Sequence, residues 1–286
     1  MILITSMGSS AFLAAVIIII TFGINFRKGF LLFQLLIWTG LITEIIKTIV
    51  AFPRPDFVDN RVFNLESGVK NTSPFRENGS EGVFQFPSKK VLDTFHLQKT
   101  LTSSSFGFPS GHVALTTALW GGSSTIFNSK IIKRITPFVV LLVAFSRLYL
   151  GRHFLGDLMG GAVIGLILLT IFTLVLKSSM IDEFFKKENF DFIFKSQNII
   201  LYFFMFIVPS VLTALSFISF DVAGFFLGTN AAYILIIRNG LPDDSGSIEQ
   251  RVLRILIALF LFGISSLIID IGFENIETTA YFGFKY

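Results

Sequence analysis

The stretch LMGGAVIGLILLTIFTLVL, Leu158 to Leu176, contains no charged side chain. It is almost as long as the roughly 20 residues a helix needs to cross a bilayer. Uncharged runs recur on either side of it: Met1–Phe26, Val113–Ser129 and Ser196–Phe220. Across all 286 residues, 52% are hydrophobic and only 15% charged, and the mean hydropathy is +0.74. A soluble globular domain carries roughly 25% charge. These figures exclude a soluble enzyme, a disordered chain and a collagen-like repeat. The pattern also argues against a membrane barrel, whose short alternating strands give no long apolar runs. The sequence reads as all-α, a polytopic membrane helical bundle.

Eight helices are expected, over Ile2–Ile24, Gly29–Val50, His112–Phe127, Ile131–Tyr149, Phe154–Leu176, Asn198–Ile218, Val222–Ile237 and Val252–Ile271. Alternate connections carry Arg27 and Lys28; Lys130, Lys133 and Arg134; Lys177, Lys186, Lys187 and Lys195; then Arg238, Arg251 and Arg254. Basic residues in short loops mark the cytoplasmic side. Both termini then face outward, and the net charge of +4 is topological rather than a sign of nucleic-acid binding. The first run lacks a basic n-region, so no cleaved signal peptide is expected. On the outer side, the long polar segment 56–108 is rich in Phe and reads as a cap. The chain is expected to form a single membrane domain over 1–286, with a core at about 29–176 and extra helices over 198–271. Gly156, Gly160, Gly161 and Gly165 mark close helix packing.

Charges at membrane depth are costly, and they mark function when they gather. Glu44 and Lys47, three apart at the end of the second helix, can face each other. Arg147 lies 13 residues after Arg134, about 20 Å of helix, against a hydrocarbon thickness of about 30 Å. It must therefore snorkel or sit recessed beside an anionic partner. His153 and Asp157 open the fifth helix on one face, where a carboxylate fixes an imidazole's tautomer. In Phe108-Pro109-Ser110-Gly111-His112, Pro109 suits a helix start. Ser110 and Gly111 would then present free amides to an anion. Cations, a helix start and two histidines, one of them backed by a carboxylate, form the parts list of a phosphoryl-transfer site. Cysteine is absent, so thiol nucleophiles and thiolate metal sites are excluded.

These residues resemble the motifs of the type 2 phosphatidic acid phosphatase superfamily, which includes lipid phosphate, glucose-6-phosphate and sphingosine-phosphate phosphatases. Lys47, six residues, then Arg54-Pro55 is similar to its first motif. Pro109-Ser110-Gly111-His112 is similar to the second. Ser146-Arg147, His153 and Asp157 are similar to the third, and the resemblance runs from about Lys47 to Gly165. It implies that His153 is the nucleophile, that Asp157 orients it and that His112 protonates the leaving group. Lys47, Arg54, Arg147, Ser110 and Gly111 would hold the phosphate, with no metal and no cofactor. The first motif ends the second span and three spans follow the core, a layout similar to the glucose-6-phosphatase and sphingosine-phosphate phosphatase branches.

The expected function is hydrolysis of a phosphomonoester, first of all a lipid phosphate, on the extracytoplasmic face of a membrane. Sugar phosphates and polyprenyl pyrophosphate are the alternative substrates. The non-enzymatic alternatives are an inert phosphate-binding scaffold and a transporter. Arg152, Arg61 and Asp56 are candidate substrate contacts, and His96 is expected to be structural. Pro209 should kink the sixth helix, and Asn230 should hydrogen-bond between helices.

Overall fold

The computed structural model describes residues 1–58, 62, 63, 65, 89, 93, 106–186, 196–215, 217, 218 and 220–283. Most of the expected cap, including Arg61 and His96, lies outside the described residues. All regular structure among the described residues is helical.

The expected first helix is two: α1 (Ile2–Gly8) and α2 (Ser10–Ile24), bent by 60°. The break falls at Ser9, which leaves the helical region (φ −79°, ψ 152°) and caps α2 by accepting the Phe12 amide. Serine favours that cap because its short side chain reaches the unsatisfied amides of the next turn. Helix α3 (Phe26–Val50) starts earlier than expected because the Asn25 side chain caps it on the Lys28 amide. It ends at Ala51, whose left-handed backbone (φ 51°) returns its amide to the Lys47 carbonyl. That termination turns the chain into the short α4 (Pro55–Val58).

Then come α5 (Gly111–Ile126), α6 (Lys130–Tyr149), α7 (Leu155–Leu176) and the short α8 (Ser179–Phe184). Helix α9 (Ser196–Tyr202) continues through a π-turn, Phe203–Ile207, into α10 (Val208–Ala214). The chain closes with α11 (Phe220–Asn239) and α12 (Ile248–Gly283). Among the described residues, four helices are long and apolar enough to cross a membrane: Phe26–Val50, Leu155–Leu176, Val222–Asn239 and Ile248–Ile268. The bent α1–α2 pair would make a fifth. That is fewer than the eight helices expected. Helix α5 has only 16 residues, and α6 carries Lys130, Lys133, Arg134 and Arg147. The sixth expected span is a continuous but shorter apolar helix over Ile199–Ala214.

Helix α5 is the hub, packed against α3, α6 and α7. Glycine makes its contact with α7 possible. A Cβ at Gly161 would lie 2.4 Å from the Ser110 carbonyl oxygen, and one at Gly165 would lie 2.7 Å from that of Ala114. Gly160 faces the Phe108 ring, while Gly156 faces open space. At the opposite end of α3, Arg27 pairs with Asp182 and stacks on Phe185. There the buried Arg238 donates to the carbonyls of Phe184 and Lys186. The polar loops 25–27, 182–186 and 238–244 thus gather at one end, with Asp244 accepting the Phe26 amide.

The later helices are attached through a buried amide. Pro209 has no N–H to offer the carbonyl four residues back, that of Met205. Asn230 Nδ2 donates to this carbonyl at 2.9 Å, and Asn230 Oδ1 accepts from Gln34 Nε2 at 2.6 Å. The bond expected of Asn230 is made, and it serves the carbonyl that Pro209 leaves without an amide.

Because backbone oxygen cannot yield as a side chain can, Gly161→Ala should destabilise the fold by about 1–3 kcal/mol. Gly156→Ala should stay within about 0.5 kcal/mol of the parent. Unfolding midpoints of the two variants in detergent check both expectations.

Candidate active site

Four chain segments meet at the end of the bundle away from the Arg27 and Arg238 cluster. The last turn of α3 brings Lys47, and the left-handed turn at Ala51 folds Arg54 and Asp56 back over the helix end. The loop before α5 is tied to this turn by the Gly107 amide, which donates to the Phe52 carbonyl at 2.7 Å. A Cβ on Gly107 would lie 2.9 Å from Asp157 Oδ2 and 3.1 Å from the Pro53 carbonyl, so a larger residue here would press on the carboxylate that holds His153. The end of α6 supplies Arg147. The Arg152 amide bonds back to the Arg147 carbonyl at 3.1 Å, which curls the chain so that His153 precedes α7 pointing inward.

His153 is 3% exposed, and its Nδ1 lies 3.3 Å from Asp157 Oδ2. The same carboxylate oxygen accepts the Phe154 amide at 2.9 Å, so Asp157 caps α7 and holds the imidazole together. A carboxylate offers only lone pairs. Nδ1 therefore carries the proton, and Nε2 presents its own lone pair. Burial first, and then the charges of Arg54, Arg147, Lys47 and His112, hold His153 far below the ordinary histidine pKa. That field also shows that the four groups converge on one imidazole. Arg54 and Arg147 are buried, Lys47 is largely so, and His112 is half-buried at the start of α5.

Lys47 Nζ contacts Glu44 Oε1 at 2.6 Å, as its spacing predicts. It also lies beside Gly111, where a Cβ would stand 3.6 Å from it. Ser110 is corrected. Its amide is not free for an anion, since it donates to the Asp157 carbonyl at 2.9 Å. What Ser110 offers instead is its hydroxyl, fully buried and without a hydrogen-bond partner among the described residues. An orphaned buried hydroxyl costs free energy on the order of 1–3 kcal/mol, which an incoming oxyanion would recover. Gly111 opens α5, so its amide lies at the positive end of the helix dipole.

Arg152 and Asp56 meet each other. Arg152 Nη1 donates to Asp56 Oδ2 at 3.2 Å, and Asp56 is wholly buried. The pair clasps the turn after α3 to the turn before α7. Arg147 is recessed, and one of its N–H groups goes to the Thr5 hydroxyl at 2.9 Å. Thr5 and Gly8, which lies against His112, were not legible as site residues, since both sit in an uncharged run far from every motif. Gly107 had a faint signal, as a glycine two residues before Pro109. Among the described residues no group of three His, Asp or Glu side chains is placed to hold a metal ion.

The curated proteins and the solved structures gave no match to the chain. The family model of the PAP2 superfamily matches residues 28–181, from the start of α3 into α8. That stretch is more than half of the chain and contains each of the three motif segments gathered around His153, so the protein belongs to the PAP2 superfamily, the type 2 phosphatidic acid phosphatases.

Proposed function

We propose that this protein is a membrane phosphatase that hydrolyses a phosphomonoester through a phosphohistidine at His153. The observation that carries the reading is the state of His153: buried, held through Nδ1 by Asp157, and ringed by Lys47, Arg54, Arg147 and His112. An imidazole kept neutral by its surroundings keeps a lone pair for attack. The cations that keep it neutral also suit the three equatorial oxygens of a transferring phosphoryl group.

In the first step Nε2 of His153 attacks phosphorus, the ester P–O bond breaks, and His112 gives its proton to the departing alkoxide. Asp157 stabilises the imidazolium character that develops on His153. In the second step water attacks the phosphohistidine, the P–N bond breaks and His112 takes the water's proton. Ser110 Oγ and the Gly111 amide complete the cradle for the phosphate oxygens. A site so rich in positive charge repels a divalent cation, so the reading needs no metal.

A lipid phosphate is the favoured substrate because apolar side chains face outward at the level of the site. Phe154 and Leu155 directly follow His153 and are exposed, as are Tyr149 near Arg147 and Ile49 near Lys47. A headgroup bound there has hydrocarbon beside it. The basic loops at the other end of the bundle favour an extracytoplasmic site.

Phosphate release by purified protein with EDTA present should vanish in His153→Ala, together with any acid-labile phosphoenzyme. His112→Ala should slow alkyl esters by about 10²–10⁴-fold while vanadate still binds. A phosphoenzyme that persists in His153→Ala would overturn the nucleophile assignment.

The His153 field has a sign that stability measurements can read. Its folded pKa is depressed, so below about pH 6.5 the unfolded chain binds a proton that the folded chain refuses. The contribution of His153 is fully present above that pH and falls away as pH drops, by about 1.4 kcal/mol per unit. Acid unfolding in phosphate-free detergent should therefore be less steep for His153→Asn than for the parent between pH 6 and 5.

A further inference from the structure

Helix α1 lies outside the segment that the family model matches, yet it touches the site twice. Thr5, 4% exposed, accepts an N–H from Arg147 Nη1 at 2.9 Å. Gly8 is buried, and a Cβ built on it would stand 3.0 Å from both Cβ and Cδ2 of His112. The 60° bend at Ser9 makes both contacts possible, because it swings α1 off the axis of α2 and onto α6 and the start of α5. On its other side α1 presents Ile2 and Leu3, both exposed.

We infer that α1 is a wall of the active site in which Thr5 is a positioning residue for Arg147 and Gly8 reserves the space of the His112 ring. The inference rests on the phosphatase reading. A guanidinium is a rigid plane of five donors on a flexible stem. Fixing one donor sets the rotation of the plane, so the others are aimed before a phosphate arrives and need not be ordered on binding. The chemistry of the acceptor matters as much as its place. A carboxylate at position 5 would neutralise Arg147, whereas a hydroxyl holds it without adding a negative charge. At position 8 any side chain presses on the imidazole by a few tenths of an ångström. That small displacement bears on proton delivery to the leaving oxygen, a step that demands hydrogen-bond reach.

The test uses the full chain in detergent, a lipid phosphate and p-nitrophenyl phosphate as substrates, and vanadate as the binding probe. Thr5→Val should lower kcat/KM and vanadate affinity on the order of tenfold, and Thr5→Ser should return both to within about twofold of the parent. In an Arg147→Ala background Thr5→Val should cost nothing more, since coupled residues are not additive. Gly8→Ala should reduce kcat for the lipid ester on the order of tenfold and leave p-nitrophenyl phosphate, whose leaving group needs no acid, within about twofold. An active parent with an unaltered Thr5→Val variant would overturn the inference and leave the phosphatase reading standing. So would an equal Thr5→Val loss with and without Arg147, or a Gly8→Ala loss equal for both substrates. A parent that neither hydrolyses these esters nor binds vanadate would remove the phosphatase reading, and the inference with it.

Discussion

The amide of Ser110 donates to the carbonyl of Asp157, and the rest of the site is arranged around that bond. It joins the starts of α5 and α7 through main-chain atoms, so the two histidines are fixed by backbone rather than by the choice of rotamers. Such closeness requires that α7 carry no side chain where it crosses the Ser110 carbonyl, the condition Gly161 meets. Packing and chemistry are one constraint here. The glycine brings the helices together, the bond sets their register, and Asp157 then caps its own helix and holds His153 with the same oxygen.

Around this frame the charges are distributed unevenly for a physical reason. Acidic groups near the site are committed to local work: Asp157 to the α7 cap, Asp56 to the clasp with Arg152, and Glu44 to Lys47 from an exposed position. Burying several cations close together is unfavourable. A proton on His153 would add to that cost, and burial together with these charges keeps it off. The electrostatic state of the imidazole is therefore set by the whole cluster, and the fold tolerates it because rigid helix ends prevent the charges from relaxing apart.

Much of this was legible in the residues. Lys47, His112, Arg147, His153 and Asp157 announced themselves because charge in an apolar sequence is conspicuous, Arg54 entered only through the motif it shares with Lys47, and the spacing of His153 and Asp157 gives a shared helical face. Asn230 was conspicuous for the same reason. What was not legible depended on contacts distant in sequence or on local breaks that hydropathy cannot see. Ser9 divides an apolar run that scores as one span. The Ser110 amide is spent on a residue of another helix. Asp56 and Arg152 each resemble a substrate contact until their partnership is seen. The residues of segment 56–108 remain a compositional reading for the most part, since few of them are described.

The amide bolt between Gln34, Asn230 and the Met205 carbonyl also bears on how the sequence can drift. Asn230 is buried and uses both ends of its side chain, one toward α3 and one toward the carbonyl left by Pro209. Losing Gln34 alone leaves an acceptor stranded in apolar surroundings, and losing Asn230 alone strands two groups, each at a cost on the order of 1–3 kcal/mol. Restoring an N–H at position 209 would in turn compete for the carbonyl that Asn230 serves. Positions 34, 209 and 230 are thus bound into one heritable unit: lineages cross more cheaply from the bolted to an unbolted form by exchanging all three than by passing through any single replacement.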